Sequence, residues 1–308
     1  MDRESMTDEE NHFFDNKGYI VIPGVLTQKE VDTLNSTLDE AGTTDNLLAL
    51  SAPVRDPFRD LLVHPVLVWF LNQICGPGFR LDKAPRLIGE ATGDDPSAPL
   101  QGNNEPRDTA RAYYFQNHYR VCHGVRAIWA LCDVNAGDGG VVLVPASHKS
   151  YVEAPEDLLT GADDMGLIEQ PVLKAGDLLL IAGTTLQGLR AWKGIGPQRL
   201  LAYEYANRGV LQSNGPNVGP EPRPEWMASL SPEHLAVLSR PGYKDTSNPP
   251  PSLNTDGKKT WLEDSPAIIH PSFYKPDPDS GIEPKELYFW DLTGYLIVRG
   301  YAPTVERG

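Results

Sequence analysis

The first third of the chain alternates between extended and helical patterns of apolar residues. Residues 19–22 are a β-branched and aromatic run after a turn, and they predict a short strand. Thr27 and Glu30 have the spacing of a capping box, and the apolar face that follows predicts a helix ending at Gly42. Residues 56–75 predict a second helical stretch that contains Pro57 and Pro65 and is closed by Gly-Pro-Gly.

From Tyr113 onward the pattern changes to short apolar runs between Gly, Asn and Asp turns. The strands predicted from these runs cover residues 127–131, 140–145, 178–181 and 200–205. Helices followed by strands predict a mainly β fold with flanking helices, either a sandwich or a barrel. Residues 210–280 are rich in Pro, Asn and Ser, so we expect long surface loops there, able to act as a lid over the barrel mouth.

The two ends of the chain resemble each other. Residues 291–300, DLTGYLIVRG, are similar to residues 15–24, DNKGYIVIPG. We therefore expect a single domain over residues 1–280, followed by a segment, 281–308, that resembles the domain's own first element at 10–26. Chance similarity between two turn-and-strand elements is the alternative.

Composition narrows the classes of partner. The chain has 308 residues and a net charge of −15, which argues against nucleic acids and anionic membranes as partners. We expect no membrane span and no secretory signal, because no apolar run of the required length or flanking charge is present. The cysteines Cys75, Cys122 and Cys132 form no CxxC pair, so a reduced, cytoplasmic setting is expected. The composition carries no signal for an oligomeric state.

Three motifs resemble those of one enzyme family. They are DxxGY at 15–19, LCDV running into GG at 131–140, and VPASHK at 144–149. Similar phrases occur in the phytanoyl-CoA dioxygenase-like (PhyH) family of non-haem Fe(II)/2-oxoglutarate oxygenases, where Gly is usual in place of Ala146. The resemblance covers most of residues 10–210. It implies a double-stranded β-helix (a cupin-like jelly roll), a flattened barrel of two sheets whose open end holds the site.

The resemblance also implies where a metal would bind. Such enzymes hold Fe(II) with two His and one carboxylate on one face of an octahedron. The first His and the carboxylate, one residue apart, match Gln101 and Asn103, and the second His matches Gln187. All three are neutral amides, whose oxygens are weak iron ligands. We therefore expect no metal at the usual positions, and Fe(II) is not expected as a conventional cofactor.

The family's cosubstrate-binding Arg follows the second His by about a dozen residues and matches Arg199. The resemblance implies that Arg199, with Tyr203 near it, binds 2-oxoglutarate or another carboxylate through a bidentate contact. An ion pair with Glu204 or another acid is the alternative for Arg199. The residues expected to line a small-molecule pocket are Trp129, His123 and Trp192. Ordinary core packing is the alternative for the aromatic residues.

Two hypotheses about function follow. The first is a binding protein, pseudoenzyme or metal-independent catalyst that holds a small-molecule ligand in the barrel. It predicts that the substitutions Gln101→His, Asn103→Asp and Gln187→His together create Fe(II) binding.

The second hypothesis is an active Fe(II)/2-oxoglutarate-dependent dioxygenase acting on a small organic acid, acyl thioester or specialised metabolite. It requires either the Gln side chains themselves as metal ligands or a replacement set, such as His118, His123, Asp133 and Glu204. His148, in the VPASHK motif, is expected to be structural or to face the substrate. A ligand-free structural sandwich has no motif in its favour.

Overall fold

The computed structural model describes residues 6–42, 46–89, 93–102, 113–116, 119–150, 152–207, 225–238, 251–264, 268–269 and 296–297. The helices are α1 (Asp8–Lys17), α2 (Gln28–Ala41), α3 (Asp56–Leu62), α4 (Pro65–Ile74), α5 (Glu156–Thr160) and α6 (Pro232–Leu238). The strands before residue 150 are β1 (Tyr19–Ile22), β2 (Arg80–Ile88), β3 (Tyr113–Gln116), β4 (Tyr119–Cys122), β5 (Gly124–Ala130) and β6 (Gly140–Leu143). The later strands are β7 (Leu178–Ala182), β8 (Gln187–Arg190), β9 (Leu200–Ala206), β10 (Ser252–Thr255), β11 (Thr260–Glu263), β12 (Ile268–Ile269) and β13 (Leu296–Ile297).

Two antiparallel sheets form the body of the fold. The large sheet has the strand order β1-β7-β5-β9-β2. The small sheet pairs β6 with β8 and is extended by isolated bridges, Gln101 to Gln187 and Leu143 to Glu169. From β5 to β9, consecutive strands therefore alternate between the two sheets. This arrangement confirms the predicted fold class, mainly β with flanking helices in a double-stranded β-helix.

The side chains of the large sheet divide into two cores because successive residues of a strand point to opposite faces. On β9, Leu200 and Ala202 join an apolar cluster with Val141 of β6, so they lie between the sheets. The alternate residues Leu201 and Tyr203 belong to the cluster that contains the helices. The parity of a residue on β9 therefore decides whether it faces the barrel interior or the helical layer.

Helices α2, α3 and α4 cover the outer face of the large sheet. The predicted capping box is present at the start of α2, where Thr27 and Glu30 satisfy each other's backbone N–H groups. Tyr203 donates its hydroxyl to the Phe58 carbonyl at 2.7 Å, and Tyr205 donates to the Leu62 carbonyl at 3.1 Å. These hydrogen bonds fix α3 on the sheet.

The described parts of residues 210–280 lie on the helical side of the large sheet. Helix α6 and the hairpin β10–β11 contact each other, and β10 also packs on α4. Asn72 of α4 donates to the Leu253 carbonyl of β10 at 3.2 Å. Although the composition of this segment is typical of loops, its described residues form a helix and a hairpin that pack on the helical side of the sheet. Among the described residues of this segment, none borders the barrel cleft.

The predicted repeat at the C-terminus lies mostly outside the described residues. Its strand β13 pairs with β12, with Ile297 opposite Ile268. Within the portion of the chain that the structure covers, none of the helices combines the length and apolar character that crossing a bilayer requires.

Candidate functional site

A cleft of about 270 Å³ opens between the two sheets. The small sheet contributes the amides of Gln101 and Gln187. The large sheet and the loop that follows β2 contribute charged side chains. The charged residues that line it are Asp82, Lys83, Arg86, Asp94, Asp95, Arg126 and Glu204.

Gln101 and Gln187 lie side by side in the small sheet. The N–H of each donates to the carbonyl of the other, with N–O distances of 2.8 Å in both directions. Gly102 permits this approach, because its φ is +146° and a Cβ there would lie 2.6 Å from the Thr185 carbonyl oxygen. The structure thus brings together two of the three positions that the sequence assigned to metal ligands. The third, Asn103, lies outside the described residues.

A row of three charges crosses the large sheet opposite these amides. Lys83 of β2 and Arg126 of β5 are both direct neighbours of Glu204 in the strand register. Lys83 Nζ lies 2.8 Å from Glu204 Oε2, and Arg126 Nε lies 3.9 Å from Glu204 Oε1. Glu204 therefore lies between two cations.

Arg126 connects this charge row to the small sheet. Its Nη1 donates to Gln187 Oε1 at 3.1 Å. The Gln187 amide nitrogen points towards the Thr185 carbonyl, at a longer distance of 3.4 Å. A guanidinium is thus the neighbour of the side chain expected to replace the second metal-binding His.

Sequence reasoning did not select Arg126 or the row. Arg126 stands two residues before Ile128 and four before Ala130, both of which belong to the cluster between the sheets. That same-face spacing was the available signal, since a lone charge within an apolar strand must face a polar partner or a cleft.

The prediction for Arg199 requires a correction. Its Nη1 donates to the carbonyl of Asn35 at 2.9 Å, and its Nη2 forms an ion pair with Asp39, both on helix α2. Arg199 is not among the cleft residues. Its odd position places it on the same face as Leu201 and Tyr203, away from the barrel interior. The alternative interpretation, an ion pair with an acid, describes its position.

Tyr203 and Trp129 also face the helical layer instead of the cleft. Both are fully buried in the core that contains the helices. The Tyr203 hydroxyl is engaged with α3, and the ring of Trp129 packs edge-on against His64 at a centroid distance of 5.3 Å. Their predicted roles in cofactor and substrate binding are therefore replaced by core packing, the alternative that the sequence left open.

His123 and Trp192, the remaining predicted pocket residues, do not border the cleft either. His123 is buried, with its ring 6.2 Å from that of Tyr114. Trp192 lies beyond β8, where its indole N–H donates to the Gly196 carbonyl at 2.9 Å.

The two alternative metal ligands that the structure describes and that lie outside the charge row, His123 and Asp133, flank opposite ends of β5. Asp133 is exposed and accepts from Lys174 Nζ at 2.9 Å. His118 lies outside the described residues. Within the described ranges, no three His, Cys, Asp or Glu side chains are grouped so that they could share a metal ion.

The VPASHK motif supports the chain segment that carries Gln187. Its Ser147, in a short 3-10 turn, accepts a hydrogen bond at Oγ from the N–H of Leu186 at 2.7 Å. Thr184 donates to the His148 carbonyl at 3.3 Å. Ala146 has a left-handed φ of 65°, a conformation that suits the Gly found in the resembling motif. The motif therefore has a positioning role one residue away from the cleft.

His148 and Lys149 join this turn to helix α1 through Asp15. The Asp15 carboxylate accepts from Tyr113 Oη and from Lys149 Nζ, each at 2.7 Å. His148 Nε2 lies 3.0 Å from the Asp15 carbonyl and donates to it. Burial, followed by the charge of Lys149, lowers the pKa of His148 to about 4. His148 is thus structural, one of the two roles expected for it.

We expect Arg199→Gln to lower the free energy of unfolding by about 1–2 kcal/mol. The substitution removes a half-exposed ion pair and a backbone contact, each of which contributes about 0.5–1.5 kcal/mol. Ligand binding in the cleft should be unchanged, because Arg199 faces helix α2. Urea unfolding measures the first effect and calorimetry the second; loss of ligand binding with unchanged stability would restore the original prediction for Arg199.

Comparison with known proteins agrees with this architecture. A family model described as phytanoyl-CoA dioxygenase (PhyH) matches residues 96–188. The ectoine dioxygenase of Halomonas elongata is 24% identical over 249 residues, which cover 70% of this chain and 74% of that protein. The crystal structure of HygX from Streptomyces hygroscopicus with nickel and 2-oxoglutarate bound has a TM-score of 0.56 at 22% identity, covering 66% of this chain and 87% of that one. EctD from S. alaskensis in its apoform gives 0.50 at 14% identity, covering 67% and 78%.

The matched segment contains the features around the cleft. It begins shortly before Gln101 and ends at residue 188, directly after Gln187. It also includes the motifs at 131–140 and 144–149. Together these matches show that the chain has the double-stranded β-helix fold and that its residues 96–188 are similar to the phytanoyl-CoA dioxygenase (PhyH) family.

Proposed function

We propose that this protein uses its cleft as a metal-independent pocket for a small polar molecule. The observation that carries the proposal is the hydrogen bond from Arg126 to Gln187 at 3.1 Å. In this reading Gln101 and Gln187 stand at the positions of the two metal-binding His residues, and Asn103 stands at that of the carboxylate.

The donor chemistry of these residues does not fit an iron centre. Amide oxygens are neutral and bind Fe(II) less well than imidazole, and an Asn provides no charge to offset the ion. The guanidinium of Arg126 adds a positive charge next to one of the two amides. Two unit charges about 4 Å apart repel by roughly 4 kcal/mol at an effective dielectric constant of about 20, and a dication roughly doubles this.

The cleft has the properties of a binding pocket without a metal. Its volume of about 270 Å³ suits a small metabolite or a smaller molecule. Polar groups converge from both sheets and can orient a ligand, as is usual for specific small-molecule sites. The turn at 147–149 holds the Gln187 segment in place, so the pocket is preorganised.

An active Fe(II)/2-oxoglutarate dioxygenase is the second candidate, because the family and its relatives carry that activity. The relative from Halomonas elongata is named a dioxygenase, and HygX was crystallised with nickel and 2-oxoglutarate. This candidate needs either Gln101 and Gln187 themselves or other side chains as metal ligands. It predicts succinate formation from 2-oxoglutarate in the presence of Fe(II) and oxygen.

Anaerobic titration of metal-free protein with Fe(II), with and without 2-oxoglutarate, tests the proposal. We expect no stoichiometric binding at micromolar iron and no succinate above a metal-free control across a panel of substrates. One iron per chain, held more tightly when 2-oxoglutarate is present, would contradict the proposal and support the dioxygenase.

A further inference from the structure

We propose that the Gln101 side chain is the principal ligand contact of this cleft, and that the ligand is a small uncharged molecule that carries a carboxamide group. This inference rests on the proposed metal-independent pocket and names its ligand class and the residue that selects it. The geometry that carries it is the cross-strand pair of Gln101 and Gln187.

The Gln101 side chain points into the cleft. Gln101 and Gln187 lie directly opposite each other in an antiparallel bridge and exchange both backbone hydrogen bonds. The side chains of such a pair project from the same face of a sheet. Because the Gln187 side chain reaches Arg126 on the large sheet, the Gln101 carboxamide projects towards that sheet as well. Gln101 is exposed, so a ligand in the cleft can reach it.

The amide groups of this pair have hydrogen-bonding capacity left for a ligand. The backbone of Gln101 is bonded to Gln187, whereas its side-chain oxygen and nitrogen have no partner among the residues that the structure describes. The Gln187 amide nitrogen has one long contact, 3.4 Å to the Thr185 carbonyl, and a second hydrogen. A ligand carboxamide matches these groups, because its oxygen and its N–H can form two parallel hydrogen bonds with the carboxamide of Gln101.

The charged groups of the cleft oppose an anionic ligand. Among its described lining residues, the acids are Asp82, Asp94, Asp95 and Glu204, and the cations are Lys83, Arg86 and Arg126. Lys83 is paired with Glu204 at 2.8 Å, and Arg86 with Asp94 at 2.9 Å. A carboxylate ligand would meet more acids than cations, and it would have to compete for cations that already have partners.

The acids also give little to an organic cation. Asp82 is buried and already has an interaction partner. Asp95 is exposed, and its Oδ1 accepts from the N–H and the hydroxyl of Ser97 at 2.8 and 2.6 Å. An ion pair with an exposed acid of this kind contributes little to binding. A neutral ligand competes with none of these contacts.

Three molecules of equal size test the ligand class: butyramide, butyrate and butyramidinium, which are neutral, negative and positive. Binding is measured by calorimetry or ligand-observed NMR on metal-free protein in EDTA at fixed ionic strength. Butyrate can only accept from the Gln101 carboxamide and butyramidinium can only donate to it, whereas butyramide does both. We therefore expect butyramide to bind at least about 5-fold more tightly than either ion.

Variants of Gln101 test the contact itself. We expect Gln101→Ala to weaken butyramide binding at least about 5-fold, because both hydrogen bonds are lost. Gln101→Glu replaces the donor by an acceptor and adds a negative charge, so butyramidinium should become the tightest of the three ligands. Gln28→Glu makes the same chemical change at the exposed start of α2, and each affinity should stay within about 2-fold of the parent. Urea unfolding of each variant checks that the fold is retained.

The outcomes separate this inference from the proposed function. Binding in EDTA that is tightest for butyrate or butyramidinium, or butyramide binding that is insensitive to Gln101→Ala, would overturn the inference and leave the metal-independent pocket intact. Binding of none of the three molecules would also overturn it. Binding that appears only after Fe(II) is added would contradict the proposed function itself.

Discussion

A variant that carries Gln101→His, Asn103→Asp and Gln187→His is expected to bind Fe(II) or Co(II) weakly, and adding Arg126→Met should raise the affinity at least about 100-fold. The sequence alone predicts that the three substitutions suffice. The structure adds a fourth requirement, because the Arg126 guanidinium donates to the side chain at position 187. Removing a unit charge that close to a dication relieves several kcal/mol of repulsion, of which 100-fold corresponds to about 2.7 kcal/mol.

Met is the suitable replacement because it is unbranched, similar in length and able to fill an irregular space. Anaerobic calorimetry gives the affinity, and the visible absorption of Co(II) reports whether nitrogen and oxygen ligands surround the ion. Arg199→Met in the same three-substitution background is the matched control, since it removes an equal charge that faces helix α2. Equal affinities with and without Arg126 would show that the guanidinium does not oppose a metal at these positions.

The elements and the fold class could be predicted because their signals are local. The capping box at Thr27 and the apolar strands at 178–181 and 200–205 depend only on neighbours in the sequence. The motif at 144–149 likewise pointed to the family. The family resemblance, and no local pattern, assigned Gln101 and Gln187 to one site; in the structure their backbones are paired.

The direction of single side chains in the site was harder to predict. Arg199 follows Gln187 by about a dozen residues. Whether its side chain points into the barrel depends on which face of the sheet the odd-numbered residues at β9 occupy. Strand parity is set by pairing, and a shift of one residue exchanges the two faces of a strand. Arg199 is on the outer face with Tyr203, whereas Glu204 faces the cleft.

Arg126 was missed for a related reason. Its neighbours in the site, Gln187 and Glu204, lie 61 and 78 positions later in the chain, so no local motif joins them. The charge row exists only once β2, β9 and β5 are side by side. A polar cluster that is built from separate strands requires the sheet order, which the sequence patterns did not contain.

The parent protein is expected to lose about 3 kcal/mol of stability between pH 7 and pH 4 through the His148 imidazole alone. Its Nε2 donates to the Asp15 carbonyl, and its buried Nδ1 has no hydrogen-bond partner. A second proton on Nδ1 would therefore create a buried charge without an acceptor, in a site where Gly18 is packed directly against the ring. Burial accordingly lowers the pKa of His148 to about 4.

The direction of this pH effect on stability follows from comparing proton uptake by the folded and the unfolded protein. The unfolded chain takes up a proton on this His below pH of about 6.5, while the folded protein does so only near pH 4, so acid favours unfolding throughout that window. A difference of about 2.5 pH units at 1.36 kcal/mol each gives a total loss of about 3.4 kcal/mol, of which about 3 kcal/mol is lost by pH 4. Burial raises the pKa of the Asp15 carboxyl, but hydrogen bonds from Lys149 and Tyr113 outweigh burial and lower the pKa overall.

Urea unfolding of the parent and of His148→Gln at several pH values between 7 and 4 measures this contribution. The variant should be less stable than the parent at pH 7, and the difference between the two should shrink by about 3 kcal/mol as the pH falls. His64 and His234, whose pKa values are also lowered by burial, titrate in both proteins and cancel in the comparison. If the free energies of unfolding of the parent and of His148→Gln changed equally with pH, protonating the His148 ring would not destabilise the folded protein. Such equal changes would also mean that the turn supporting Gln187 does not depend on a neutral His148.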